Sequence, residues 1–150
     1  HSETNIIGMS NGRGMRTFFQ IPSIIDNLPN GSIIRNANLS YELANDTSMQ
    51  NYSLILDPVQ QDTTLLDSNI IYAVDPLSTI GYPYRITGNQ VNNRLVFSIK
   101  NILQNILLEN ESNFGLKIVS DEKNEPFHTI WIDMNNNINR PKLEILYVHD

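Results

Sequence analysis

The 150-residue sequence predicts an all-β fold: an antiparallel β-sandwich of jelly-roll type with one short amphipathic helix at about residues 100–109. Three observations carry that prediction. Short apolar/polar alternations of period two recur along the chain, turn-forming residues separate them, and one segment alone follows a helical period. A parallel sheet would need several crossover helices, so antiparallel strands in a sandwich are the better fit. No repeat or linker divides the chain, and at this length about 70% of the unfolded surface can be buried, so residues 1–150 are expected to form one domain.

The first clear strand signal is "MRTFFQI" (15–21), which sets Thr17, Phe19 and Ile21 on one face and stops at Pro22. "ANLSYEL" (37–43) is cleaner, with Ala37, Leu39, Tyr41 and Leu43 inward and Asn38, Ser40 and Glu42 outward. "YSLIL" (52–56), "NIIYAV" (69–74), "YRI" (84–86), "RLVFSI" (94–99), "FGLKIV" (114–119), "TIWIDM" (129–134) and "KLEILYV" (142–148) continue the series. Turn chemistry falls at Pro29-Asn30-Gly31, Asp57-Pro58, Asp75-Pro76, Gly88-Asn89 and Asn135 to Asn139. In "IKNILQNILLEN", Ile99, Ile102, Leu103, Ile106 and Leu107 fall at i, i+3, i+4, i+7 and i+8, one face of a helix.

Composition excludes several functions. Cysteine is absent, so disulfides, thiolate metal sites and a cysteine nucleophile are out. The net charge of −6, with dispersed basic residues, argues against a nucleic-acid partner, whose phosphates require a basic stripe. No stretch approaches the ~20 apolar residues that cross a bilayer. Five Asn-X-Ser/Thr triplets, at Asn30, Asn38, Asn45, Asn51 and Asn110, fit a chain this rich in asparagine and matter only in a eukaryotic secretory pathway.

Four stretches taken in order, "GMRTFFQIPSI", "LPNGSIIRNANLSYEL", "FSIKNILQNILLENESNFGLKI" and "NRPKLEILYV", together resemble the bacterial DNRLRE domain, and equally a related domain of unknown function in bacterial surface lipoproteins. The positions that carry the likeness are Arg16, Phe19 and Ile21; Pro29, Gly31, Ala37 and Leu39; the helix around Ile102 and Leu103 with Asn113 to Leu116; and Arg140, Pro141, Leu143 and Tyr147. The resemblance implies a non-catalytic β-sandwich attached to larger extracellular proteins, some members serving as carbohydrate-binding modules of polysaccharide-degrading enzymes. Only "TNIIGM" stands where the pattern has a longer N-terminal strand, so the chain reads as truncated there and excised from a larger protein. Residues 45–93 show little of the pattern.

Candidate chemistry is sparse. Histidine occurs at His1, His128 and His149, without the G-x-S-x-G elbow of a serine hydrolase. Asp121, Glu122 and Glu125 cluster in "SDEKNEP", which reads as a solvated hairpin loop rather than as a glycosidase pair. A structural calcium ion has weak candidate ligand sets in Asp62, Asp67 and Asn69, and in Asp133, Asn135 and Asn137, although neither has the spacing of a defined calcium loop.

Aromatic platforms are the remaining constellation, because a sugar ring lays C–H groups on Trp or Tyr faces while polar neighbours serve its hydroxyls. Trp131, the single tryptophan, shares a strand face with Thr129 and Asp133, and "GYPYRI" adds Tyr82, Tyr84 and Arg85. Either Trp131 is such a platform or the helix or a loop covers it. The expected function is non-catalytic binding of a polysaccharide or surface glycan, outside the cell or on its surface, through secretion or a lipid anchor borne by a segment not present here. The alternative is a structural or adhesive surface domain that spaces its neighbours or binds a protein partner. An enzyme is not expected.

Overall fold

The computed structural model describes residues 6–10, 16–19, 21, 27–44, 53–58, 86–109, 113, 115–121, 123–124, 129–134 and 140–149. Its elements are β1 (Ile6–Ser10), β2 (Arg16–Phe19), β3 (Ile33–Leu43), β4 (Leu54–Pro58), β5 (Ile86–Thr87), β6 (Asn89–Val91), β7 (Arg94–Ser98), α1 (Lys100–Leu107), β8 (Leu116–Ser120), β9 (Thr129–Asp133) and β10 (Lys142–Val148). The fold is all-β with one helix, as the alternations predict. A larger antiparallel sheet runs β1-β9-β3-β7-β6 with β10 also on β3, and a smaller one runs β2-β8-β4-β5.

One hydrophobic core lies between the sheets. The larger sheet contributes Met9, Ile34, Ala37, Leu39, Tyr41, Leu43, Leu95, Phe97, Ile130 and Ile132, while Leu54, Leu56, Leu116 and Ile118 come from the smaller. Tyr41 and Phe97 meet edge to face with ring centroids 6.4 Å apart, the arrangement aromatic quadrupoles favour. Burial pushes the Tyr41 hydroxyl far above the ordinary phenol range, which keeps it neutral.

Strand β3 organises the larger sheet. It opens from a type II turn in which Ser32 N–H donates to Pro29 O at 3.1 Å and Gly31, at φ +81°, takes the position that requires the left-handed region. The inward apolar positions from Ala37 to Leu43 are those the alternation predicts, but Ser40, expected on the outward face, is buried as well, where its hydroxyl accepts from Arg94. Between Ile34 and Asn36 the pairing with β10 slips, so that Arg35 is an extra residue on β3. Such a bulge resets the alternation, which is why the sequence pattern begins four residues later than the strand.

Strand β7 pairs with β3 over residues 38–42, and the chain then turns into α1. Ile99 N–H still donates to Ala37 O, and beyond it Gln104 Oε1 accepts from Ile34 N–H at 2.7 Å. The helix thus covers the strand edge that β7 leaves, a common protection of unpaired edges. It is held by packing: Ile102 and Leu103 are buried, Ile106 and Leu107 lean on the core, and the N-cap position, Ile99, offers no side-chain cap. It ends at Leu107, two residues before the expected boundary, because Glu109 enters the left-handed region at φ +58°.

Several expected turns belong to regular structure instead. Asp57 and Pro58 close strand β4, where they pair with Lys117 and Leu116 and are buried. Gly88 lies between β5 of the smaller sheet and β6 of the larger, so the chain changes sheets at one residue. A Cβ there would come within 2.6 Å of Leu95 Cδ1 and 2.8 Å of Phe97 Cε1. Strands β1 and β6 were not expected. Asn92, at φ +55°, makes the tight β6–β7 hairpin, a conformation asparagine tolerates. Gly115 stands just before β8 rather than inside a strand, at φ +100°. The predicted strand at 69–74 lies outside the described residues, as do residues 84–85 and the turns at 75–76 and 135–139.

Candidate functional site

Among the described residues, the outer face of the larger sheet is the only place where the structure gathers residues that the sequence nominates. In β9, Ile130 and Ile132 enter the core, so period-two geometry turns Thr129, Trp131 and Asp133 outward. Trp131 is 49% exposed, which decides against the covered-core outcome. Its main chain is held on both sides, by the β1 register Gly8 to Trp131 and by Ala44 N–H donating to Trp131 O at 2.9 Å.

Gly8 explains the indole's pose. A Cβ at residue 8 would lie 2.6 Å from Trp131 Cζ3 and 3.1 Å from Cη2, so the six-membered ring occupies the space that a side chain on β1 would fill. The ring covers the glycine, which is itself buried, and this cross-strand contact fixes the indole against the sheet. Neither residue predicts the other from sequence. The pairing becomes visible only with the register.

Beside the indole lies a polar row across three strands. Glu42 of β3 stands opposite Asp133 of β9 on one side and Arg94 of β7 on the other. Arg94 Nε lies 2.7 Å from Glu42 Oε1 in an ion pair, and a terminal guanidinium nitrogen donates to Ser40 Oγ at 2.9 Å. Ser40 Oγ in turn faces Lys142 O at 3.4 Å. Val91, opposite Arg94, continues the row as an exposed apolar side chain. The arrangement offers one flat apolar surface, two carboxylates and one guanidinium. Sequence reading placed Glu42 and Ser40 outward but missed Gly8 and Arg94, because register across strands is not written in local alternation.

The other nominated residues are not brought to this face by anything described. Tyr82, Tyr84 and Arg85 lie outside the described residues, as do Asp62, Asp67, Asn69, Asn135 and Asn137, so of both calcium sets only Asp133 is placed. Among the described residues no group of three His, Asp or Glu side chains could hold a metal ion. Of the acidic loop, Asp121 is a turn residue whose carboxylate accepts from Lys123 N–H at 3.0 Å. Asn124 bridges that loop to β4, its Oδ1 accepting from Ser53 N–H at 2.8 Å while its amide donates to Ser120 Oγ.

On the opposite sheet, Asp57 and Lys117 are buried register partners of β4 and β8. Sequence reading took Asp57 for a turn residue and passed over Lys117. A charged residue inside an apolar strand pattern was the available signal. No helix among the described residues is long and apolar enough to cross a membrane.

No family model matches the chain, and no curated protein or solved structure matches it.

Proposed function

We propose that the chain is a non-catalytic carbohydrate-binding domain of jelly-roll type, working at the cell surface or outside the cell, with its ligand lying across Trp131. The observation that carries this reading is the half-exposed indole fixed over Gly8, beside the Asp133, Glu42 and Arg94 row. A sugar ring needs flat apolar area for its C–H groups and oriented polar partners for its hydroxyls, and this face supplies both. The surface is open and Glu42 is already tied to Arg94, so the carboxylates suit orientation of hydroxyls better than acid–base chemistry. The likeness to DNRLRE-type domains agrees with a non-catalytic module, and a calcium requirement is an associated expectation.

Because Trp131 is the single tryptophan, its fluorescence reports on the site alone. Titration with plant, algal and microbial polysaccharides, with and without calcium, should give a saturable shift with at least one. Trp131→Ala should remove that binding while the fold persists. Gly8→Ala, which pushes a methyl group into the ring's place, should weaken it by roughly tenfold, ~1.4 kcal/mol. An emission that no glycan moves, or binding that survives both substitutions, overturns the reading.

A second reading, a structural or adhesive surface domain, has its own observation. β10 pairs only with β3 among the described residues and exposes Leu146 (63%), Val148 and, across the register, Ile33. Concentration-dependent association in sedimentation, without glycan binding, would favour it.

A further inference from the structure

At the other end of β3 a cleft of about 440 Å³ opens between the first residues of that strand, the Asn30–Ser32 turn and one face of α1. We infer that this cleft is a binding site for the carboxylate of an acidic sugar, a uronate unit. The anionic part of the inference stands on the cleft itself, and the sugar part rests on the carbohydrate reading above.

Charge is the first argument. The chain carries a net charge of −6, yet both ionisable residues that line the cleft, Arg35 and Lys100, are cations. Both are exposed, and no carboxylate among the described residues pairs with either. Arg35 is also the extra residue of the bulge in β3, and bulges re-aim side chains relative to a regular strand. A guanidinium matches a planar carboxylate with two parallel N–H donors, and an ammonium adds a point charge.

Lys100 strengthens the case by its position. It is the first residue of α1, where the positive end of the helix dipole disfavours a cation, and no acidic residue occupies the first turn to offset it. An anion bound between Lys100 and Arg35 relieves that unfavourable arrangement. Gln104, four residues along the same helix face, has its Oε1 committed to Ile34 N–H. That bond fixes the amide and leaves Nε2 as a donor, so the polar lining from the helix is donor in character.

The turn adds Asn30 and Ser32 to the lining, and the other walls are apolar. Ile33, Leu107 and Leu108 line the cleft, with Ile33 and Leu108 more than half exposed. Donors with apolar sides suit a ring that bears both C–H groups and a carboxylate. The volume lies at the low end of ordinary ligand sites, about 300–1,000 Å³, which fits one or two sugar units rather than a long chain.

The test is calorimetric titration of the intact chain with short oligomers of galacturonate, of mannuronate and guluronate, and of glucuronate-containing glycan, against a neutral galactose oligomer and against acetate. At least one uronate oligomer should bind, and Arg35→Gln with Lys100→Gln should weaken it by roughly tenfold or more. Raising NaCl from about 0.05 to 0.3 M should weaken it as well. The fold should be unaffected, because both side chains are at the surface. Absence of binding by every uronate, or affinity unchanged in the double variant, overturns the inference. Equal binding of acetate overturns its sugar part. Trp131→Ala separates the two sites: loss of neutral-glycan binding with uronate binding intact supports both, and uronate binding lost in that variant but kept in the double variant assigns the acid to the tryptophan face and refutes the cleft.

Discussion

Strands β9 and β4 are equally short and sit in facing sheets, yet they are buried in opposite ways. In β9 burial alternates: Ile130 and Ile132 are inside, Trp131 is half exposed and Thr129 and Asp133 are intermediate. In β4 all five residues from Leu54 to Pro58 are buried, Asp57 included. A strand with one wet face can carry a ligand on it, whereas a strand shielded on both faces can serve only as structure. The larger sheet therefore holds the proposed recognition surface, and β4 of the smaller sheet acts as a backing layer.

Truncation along the two strands tests that contrast most strongly. Ile130→Ala in β9 should cost about 2–5 kcal/mol in urea unfolding, and Trp131→Ala about 1 kcal/mol or less, since half its surface stays in water. In β4 both Leu56→Ala and Ile55→Ala should cost about 2–5 kcal/mol, although they point to opposite faces. A cheap Ile55→Ala would mean that the second face of β4 is loosely packed and the contrast false.

Gly88→Ala tests how tightly the two sheets are joined at their shared corner. A methyl group 2.6 Å from Leu95 Cδ1 must displace core side chains, so a loss of about 1–3 kcal/mol is expected by the same measurement. Glu109→Gly should act in the other direction. It relieves a left-handed residue at the end of α1 and should raise stability by about 0.5–1 kcal/mol, read as a higher urea midpoint.

The smallest effect belongs to the solvent side of β10. The hydrogen bond from Lys142, and then its charge, lower the Glu144 pKa below the ordinary carboxylate value. A carboxyl depressed in the folded state stabilises above its unfolded pKa, and that contribution fades as pH falls through the lowered folded value. Glu144→Gln should therefore flatten the acid limb of the stability profile only slightly, because an exposed pair is screened. A large change would mean that β10 is less open to water than its exposure indicates.

The alternating strands were the legible part of this molecule. The inward sets of residues 37–43 and of Ile130 and Ile132, the outward pose of Trp131 and the buried stripe of α1 follow from side-chain periodicity alone. What was illegible depended on neighbours distant in sequence. The bulge at Arg35 hid the start of β3, Gly88 looks like a turn glycine until Leu95 and Phe97 close around it, and Asp57-Pro58 carries turn chemistry inside a buried strand. The site divides the same way, since Trp131, Thr129 and Asp133 share a strand, while Gly8, Glu42 and Arg94 join them only through pairing.

The edge of β3 opposite β7 is shared by two strands in succession. β9 leaves it at Asp133, opposite Glu42, and β10 resumes it at Lys142, opposite Ser40, so eight intervening residues correspond to a step of only two positions on β3. Both ends of that excursion are anchored by the same strand, which uncouples its length from the register of the sheet. Doubling its length would add only about 0.6 kcal/mol of closure entropy. Insertions between Asp133 and Lys142 should therefore leave the register of β9 and β10 on β3 unchanged.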